Sequence, residues 1–180
     1  MKKTIVVVAL GLFAPLANGE VTDAAVNGFT TVNEVVIAAG RAEAWVAAMR
    51  VGSWWSSDHT ISGDASRLSI QPVMQGCFCE SLGEQAGVVH LVVTMVNPTH
   101  MLRLTGGLGP LGLMGVDGNM TWEFEGDEKS ARVRFTYAVG GYSASGLDEM
   151  APAVDVVIGE ALGRLKAYVE TGTPEPVTVE

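Results

Sequence analysis

The chain has 180 residues, of which 48% are hydrophobic, so it is long enough for one domain with a core and too apolar to be disordered. Its 20 acidic and 11 basic residues give a formal net charge of −9. A chain this acidic is repelled by nucleic acid and by anionic lipid surfaces, so we expect no nucleic-acid partner.

The first residues have the pattern of an export signal. Met1-Lys2-Lys3 is followed by an apolar run over residues 4–16 that is too short to span a bilayer stably, and small residues precede a cleavage point between Gly19 and Glu20. We therefore predict a signal peptide over 1–19, a periplasmic or secreted protein, and no stable membrane insertion after cleavage. The alternatives are an N-terminal membrane anchor or a buried strand.

The next segments predict a strand and then a helix. Residues 29–38 are rich in β-branched side chains, and residues 41–50 switch to helix formers with one apolar face. Residues 52–67 form an irregular loop that contains Trp54-Trp55 and Asp58-His59.

Six further strands are predicted at 68–73, 76–82, 87–96, 100–106, 116–125 and 131–140, separated by turn signals. The last two alternate apolar and polar residues. Pairing them so that Trp122 lies opposite Phe135 also places Glu125 opposite Arg132 and Glu123 opposite Arg134. We therefore predict an antiparallel hairpin in this register.

The hairpin of 76–82 with 87–96 carries the main candidate for chemistry. One register places Glu80 opposite His90, between the apolar pairs Phe78–Val92 and Leu82–Val88. Such a pair facing a cavity is a candidate general acid and base; the alternative is an ion pair at the rim or in solvent.

Cys77 and Cys79 fall on the other face of that hairpin. We interpret them as reduced packing residues because their Cα atoms would be roughly 6.5–7 Å apart in a regular strand, at the limit for a disulfide. A strained bridge or a pair of metal-binding thiolates are the alternatives.

Residues 106–115 are glycine-rich and apolar. Gly107, Gly109 and Gly112 match the spacing of a dinucleotide fingerprint, but no strand–loop–helix setting surrounds them. We predict instead an apolar loop that is either a mobile lid over a cavity mouth or a plug that packs over the end of the core.

From Leu147 onward, apolar residues recur at three- and four-residue spacing. Asp148 and Glu149 at the start, Lys166 near the end and Gly172 beyond it predict a helix of about six turns. Residues 173–180 are expected to form a flexible tail.

The order of these elements over residues 28–171, Trp54-Trp55 after the first helix and the amphipathic final helix resemble the SRPBCC or helix-grip superfamily. That group includes START lipid-transfer domains, pollen-allergen-type proteins and polyketide cyclases. The resemblance implies an α+β fold in one domain, residues 20–172, with a curved seven-stranded antiparallel sheet wrapped around the C-terminal helix. It also implies an elongated apolar cavity between sheet and helix.

Three functions follow as hypotheses, in order of preference. The first is binding of a small hydrophobic or amphipathic molecule, such as a lipid, a polyketide-like or an aromatic compound. The second is a cyclase-, dehydratase- or hydrolase-like enzyme that uses Glu80 and His90, and the third is an interaction module of the Hsp90-activator type. The expected ligand-binding residues are Trp54, Trp55, Asp58, His59, Phe78, Leu108, Leu111, Met114, Trp122, Phe135, Tyr137, Tyr142, Val154 and Ile158.

No cofactor and no metal are expected. A zinc site built from Asp58, His59, Glu80 and His90 is an alternative that requires the 52–67 loop to fold back onto the hairpin. The sequence does not determine the oligomeric state.

Overall fold

A computed structural model describes residues 18–175. It consists of one eight-stranded antiparallel sheet and two α-helices. Most of the predicted signal segment and residues 176–180 of the predicted tail lie outside the described residues. Within 18–175, no helix has the length and apolar character needed to cross a membrane.

The strands follow the order β1-β2-β8-β7-β6-β5-β4-β3 across the sheet. Their bounds are β1 Asn18–Ala25, β2 Gly28–Ile37, β3 Leu68–Ile70, β4 Cys77–Gly83, β5 Ala86–Asn97, β6 Met101–Thr105, β7 Gly115–Gly126 and β8 Ala131–Tyr142. The helices are α1 Arg41–Ala48 and α2 Ala151–Thr171, with short 3-10 turns at Val51–Ser53, Ser57–His59, Ala65–Arg67, Gly109–Leu113 and Asp148–Met150.

The prediction of seven strands is corrected to eight by β1. This strand pairs with β2 from Asn18 opposite Glu34 to Ala25 opposite Gly28, so it begins before the predicted cleavage point. It has no alternation of apolar and polar residues because it is a largely exposed edge strand, held mainly by backbone hydrogen bonds. The predicted strand at 68–73 ends already at Ile70.

The predicted β7–β8 hairpin is confirmed in its register. Trp122 pairs with Phe135, Glu123 with Arg134 and Glu125 with Arg132, without a shift along the whole ladder. The strands therefore pair as the alternation in the sequence indicated, and Arg134 directs its guanidinium to Glu34 of β2.

Two different segments cover the inner face of the sheet. Helix α2 packs mainly against β2 and β1, and it ends where Gly172 adopts a left-handed conformation and donates its N–H to Tyr168 O, as the glycine predicted. The half of the face around β4 and β7 is covered by the segment 51–67, whose Trp54 and Trp55 are 0% and 3% exposed.

Candidate functional site

Glu80 and His90 form a buried hydrogen-bonded pair on the inner face. His90 Nε2 lies 2.9 Å from Glu80 Oε2, and the two side chains are 5% and 0% exposed. The contact is the one predicted, but the predicted register is wrong, because Glu80 pairs with Val88 in the ladder. A register shift pairs Phe78 with Leu91 and Cys79 with Val89, so His90 is an extra residue that bulges inward beside Leu91.

That shift also corrects the expected faces of the hairpin. Val92 and Leu82 were expected beside Phe78 and Glu80 on the buried face, and they are 36% and 37% exposed. The interpretation of two reduced cysteines is also wrong, since Cys77 and Cys79 are joined by a disulfide with Cα atoms 5.3 Å apart. This distance is shorter than the spacing in a regular strand, and the β4–β5 ladder shifts register between Phe78 and Cys79.

The Glu80 carboxylate accepts hydrogen bonds from three groups. Ser62 N–H donates to Oε1, Ile61 N–H donates to Oε2 at 3.1 Å, and His90 Nε2–H donates to Oε2 at 2.9 Å. Burial by itself raises the pKa of Glu80, but hydrogen bonds from Ser62, Ile61 and His90 outweigh it and lower the pKa from 4.5 to about 2. Glu80 is therefore an anion at neutral pH that anchors the 51–67 segment, and it is unsuited to donate a proton.

His90 presents one nitrogen to Glu80 and leaves the other free. Its Nδ1 atom is buried and has no hydrogen-bond partner within residues 18–175, while its ring packs edge-on against Phe78 at 5.7 Å between centroids. Because Glu80 can only accept, it holds the imidazole with the proton on Nε2, which leaves a lone pair on Nδ1 in the neutral form.

The 51–67 segment is also fastened to α2. Arg164 Nε donates to Trp54 O at 2.9 Å, and His59 Nε2 forms an exposed hydrogen bond with Glu160 Oε2 at 2.9 Å. His59 therefore does not reach the Glu80–His90 pair, and Asp58 is exposed. The alternative zinc site does not form, since no cluster of three or more metal-binding side chains occurs in the described part of the chain.

Aromatic rings form a continuous line of contacts through the interior. Trp122 stacks on Phe135 at 4.3 Å and contacts Trp54 at 6.1 Å. Trp54 contacts Trp55 at 5.6 Å, Trp55 contacts Phe78 at 5.5 Å, and Phe78 contacts His90. Trp122 Nε1, like His90 Nδ1, is buried without a partner among the described residues. Five of the predicted ligand-binding residues thus belong to one cluster that connects β8 to the Glu80–His90 pair.

The 106–114 segment is held down by Tyr137. The Tyr137 hydroxyl donates to Gly106 O at 2.8 Å and accepts from Leu108 N–H at 2.9 Å. Burial raises the pKa of Tyr137 to about 12; the Leu108 hydrogen bond opposes the rise and the Asp117 charge adds to it. Leu111 is buried, whereas Leu108 and Met114 are half-buried, so the segment packs over the end of the core.

The remaining predicted residues lie further apart. Ile158 of α2 is fully buried and Val154 is half-buried. Tyr142 was expected to line the interior, but it is 75% exposed because β8 ends there beyond the edge of the core. The structure therefore brings the rings and the Glu80–His90 pair together and leaves Asp58, His59 and Tyr142 outside that group.

Two open depressions lie elsewhere on the surface. One, of about 510 Å³, is on the outer face of the sheet between Asp23, Asn27, Thr30 and Asn119. The other, of about 330 Å³, lies between Met49 and Ile70. None of the predicted ligand-binding residues lines either depression, and in this conformation the aromatic cluster fills the interior.

Several residues of the site escaped the sequence analysis. Ile61 and Ser62 contribute only backbone N–H groups to Glu80, and a backbone donor leaves no trace in the sequence. Glu160 and Arg164 are four residues apart on α2, so their spacing could have identified a polar stripe on the helix. The sequence could not have identified their partners in the 51–67 segment.

Comparisons with known proteins support the fold. No protein-family model matches the chain, and no curated protein matches it. Among solved structures, EF2215 from Enterococcus faecalis, a conserved protein of unknown function, has a TM-score of 0.59 at 13% identity over 91% of this chain and 82% of that chain. CalU16 from Micromonospora echinospora has a TM-score of 0.51 at 15% identity over 83% of this chain and 78% of that chain.

A third solved structure is the Aha1 dimer from Colwellia psychrerythraea, with a TM-score of 0.53 at 18% identity over 79% of this chain and 97% of that chain. At these identities the likeness concerns the fold alone. The chain thus has an α+β architecture compatible with the helix-grip type, in which one large antiparallel sheet packs against a C-terminal helix.

Proposed function

We propose that this chain is an exported helix-grip protein of the SRPBCC superfamily that binds one small apolar or amphipathic molecule between the sheet and the segments covering it. The observation that carries the proposal is the line of aromatic rings with an unpartnered buried polar atom at each of two positions, Trp122 Nε1 and His90 Nδ1. Buried polar groups almost always have partners, so a ligand with one acceptor and one donor would complete both.

The ligand chemistry follows from this arrangement. A planar aromatic or polyketide-like ring would replace ring–ring contacts that now close the interior, and its oxygen would accept from Trp122 Nε1–H. His90 Nδ1 would accept from a ligand hydroxyl, because Glu80 fixes the proton on Nε2. A saturated hydrocarbon would satisfy neither atom, so we expect an oxygenated ligand.

Access requires the closed interior to open, and the 106–114 segment is the candidate. Two hydrogen bonds to the Tyr137 hydroxyl hold its start, and Gly106 lies against the His90 carbonyl, where an added Cβ would be 2.7 Å from the oxygen. Displacing this segment would expose the side of β5 that carries His90.

The experiment is native mass spectrometry of the protein purified from an exporting host, followed by thermal-shift and tryptophan-fluorescence titrations with a panel of fatty acids, phospholipids and hydroxylated aromatic compounds. We expect a co-purified ligand or saturable binding of an oxygenated aromatic. Trp122→Phe should weaken that binding about fivefold to tenfold through loss of one hydrogen bond. Trp45→Phe is the matched control, because Trp45 contacts Phe124 outside the line of rings. No ligand and no shift with any compound would refute the proposal.

A second candidate is an enzyme of the cyclase, dehydratase or hydrolase kind, and the free Nδ1 of His90 favours it. In such an enzyme His90 transfers the proton and Glu80 only orients the imidazole. Glu80 is a poor proton donor because its pKa is lowered. Once a ligand is known, incubation with wild type and with His90→Gln should show a chemical change only with wild type. A ligand that is unchanged after both incubations would contradict the enzyme hypothesis and leave ligand binding as the function.

A further inference from the structure

The Cys77–Cys79 disulfide lies on the outer face of the sheet, away from Phe78 and Glu80. Both cysteines are only half-buried, and Val92 and Val89, which pair with them in β5, are 36% and 59% exposed. Both helices pack on the opposite face. An attacking thiol can therefore reach the sulfur atoms without unfolding the protein, which is the first requirement for disulfide exchange.

The Cys77–Cys79 bridge closes a very short loop. Only Phe78 separates the two cysteines. A disulfide stabilises a fold mainly by restricting the unfolded chain, and the restriction grows with the length of the closed loop. This bridge therefore adds little to overall stability, and the rest of the fold does not depend on it.

The bridge also lies beside the interior pair. Cys79 precedes Glu80 directly, and the ladder shifts register between Phe78 and Cys79, where His90 becomes the extra residue of β5. The two Cα atoms are 5.3 Å apart, whereas a regular strand would separate them by roughly 6.5–7 Å. Opening the bridge would remove this restraint on β4 at the same point where the register shift turns His90 inward.

We propose that Cys77–Cys79 is a thiol–disulfide exchange site that reacts with a dithiol while the protein stays folded, and that the reaction changes the setting of His90 against Glu80. One thiolate of the dithiol attacks a cysteine sulfur, the S–S bond breaks, and the other cysteine leaves as a thiolate that takes a proton. The second thiolate of the reagent then attacks the mixed disulfide and releases the second cysteine. The dithiol loses two electrons and becomes a disulfide, and the protein gains two thiols. The exchange does not depend on the proposed ligand binding, although His90, on which it acts, also belongs to that proposed site.

The first test titrates the folded protein with dithiothreitol or with reduced thioredoxin, a protein dithiol, and counts thiols by alkylation and mass spectrometry. We expect two alkylated cysteines at concentrations that leave the far-ultraviolet circular dichroism unchanged, and re-formation of the bridge with oxidised dithiothreitol. The faster reagent at equal thiol concentration identifies a small or a protein dithiol as the better donor. A bridge that resists both reagents until urea unfolds the protein would overturn the inference.

The second test uses the histidines, of which the chain has only three. On reduction we expect the imidazole NMR signal of His90 to move while that of His100, exposed at the turn between β5 and β6, stays in place. Cys77→Ser/Cys79→Ser should show the His90 signal of the reduced protein and should not respond to dithiol. A His90 signal that is identical in both redox states would overturn the link to the Glu80–His90 pair, and this result is independent of any ligand.

Discussion

At the scale of single residues, Glu80 shows how surroundings determine the role of a carboxylate. Burial alone would raise its pKa and suit it to donate a proton, which is one of the roles that the sequence suggested for the Glu80–His90 pair. Two backbone N–H groups of the 51–67 segment and His90 instead stabilise the anion. The side chain therefore joins a loop to the sheet and orients an imidazole.

Glu80→Gln should reveal this anchoring role. The amide retains one oxygen but turns an NH₂ group toward N–H donors, so at least one buried donor loses its acceptor. We expect a loss of about 1–3 kcal/mol in the free energy of unfolding at pH 7, measured by urea denaturation. Glu84→Gln in the exposed β4–β5 turn is the control and should change it by less than about 0.5 kcal/mol. Equal stability of both variants would contradict the anchoring role.

At the scale of elements, the contact between α2 and β2 depends on close approach around one polar side chain. Asn33 is fully buried and donates from Nδ2 to Asp155 Oδ1 at 2.8 Å. Gly159, one turn further along α2, lies over the same side chain, where an added Cβ would be 2.7 Å from Asn33 Oδ1. This glycine is therefore required by packing although it lies inside a helix.

Two glycines of α2 should consequently respond in opposite ways to alanine. Gly159→Ala forces the helix away from Asn33 and should lower stability by about 1–3 kcal/mol. Gly163→Ala meets no atom within 4 Å and should raise stability by about 0.5–1 kcal/mol through the higher helix propensity of alanine. Urea denaturation of both variants tests the pair, and a gain in stability for Gly159→Ala would show that the helix does not sit this close to β2.

The 106–114 segment should become more mobile when the Tyr137 hydroxyl is removed. Tyr137→Phe deletes both hydrogen bonds to Gly106 and Leu108, so we expect faster hydrogen exchange across 106–114 and a loss of about 1–2 kcal/mol in stability. Tyr142→Phe, at an exposed tyrosine in the same strand, is the matched control and should change neither quantity. Unchanged exchange in Tyr137→Phe would mean that Leu111 packing alone holds the segment.

At the scale of the whole molecule, the core is closed by two covers of different origin. Helix α2 covers the β1–β2 side, and the 51–67 segment covers the β4 side with Trp54 and Trp55. The second cover is held by polar contacts to Glu80, Arg164 and Glu160 in addition to the packing of its two tryptophans. Its attachment should therefore depend on pH more than that of α2.

Acid should destabilise the fold through Glu80. Its folded pKa, about 2, lies below the unfolded value of 4.5, so its contribution to stability is complete above pH 4.5 and is lost as the pH falls toward 2. The loss should reach roughly 3 kcal/mol in the free energy of unfolding. Urea denaturation across this range should show a steeper decline for wild type than for Glu80→Gln, and parallel curves for the two proteins would contradict the assignment.

Apolar periodicity, turn residues and charge matches were together sufficient to predict the antiparallel strands after the first helix, the β7–β8 register and the terminal helix with its stop at Gly172. These features follow from apolar residues that must lie on one face, and a slipped register would break every pair at once. The sequence also predicted the contact between Glu80 and His90, but it did so from a strand register that differs from the observed one.

The tertiary structure alone decided the bulge at His90, the Cys77–Cys79 bridge, the edge strand β1 and the role of the 51–67 segment. In each case backbone geometry or contacts distant in sequence determine the outcome. An N–H from Ile61 or Ser62 carries no residue-type signal, an edge strand needs no apolar alternation, and a bulge shifts faces without changing composition. Side-chain patterns therefore determined the framework, and backbone contacts between distant segments determined what the Glu80–His90 pair does.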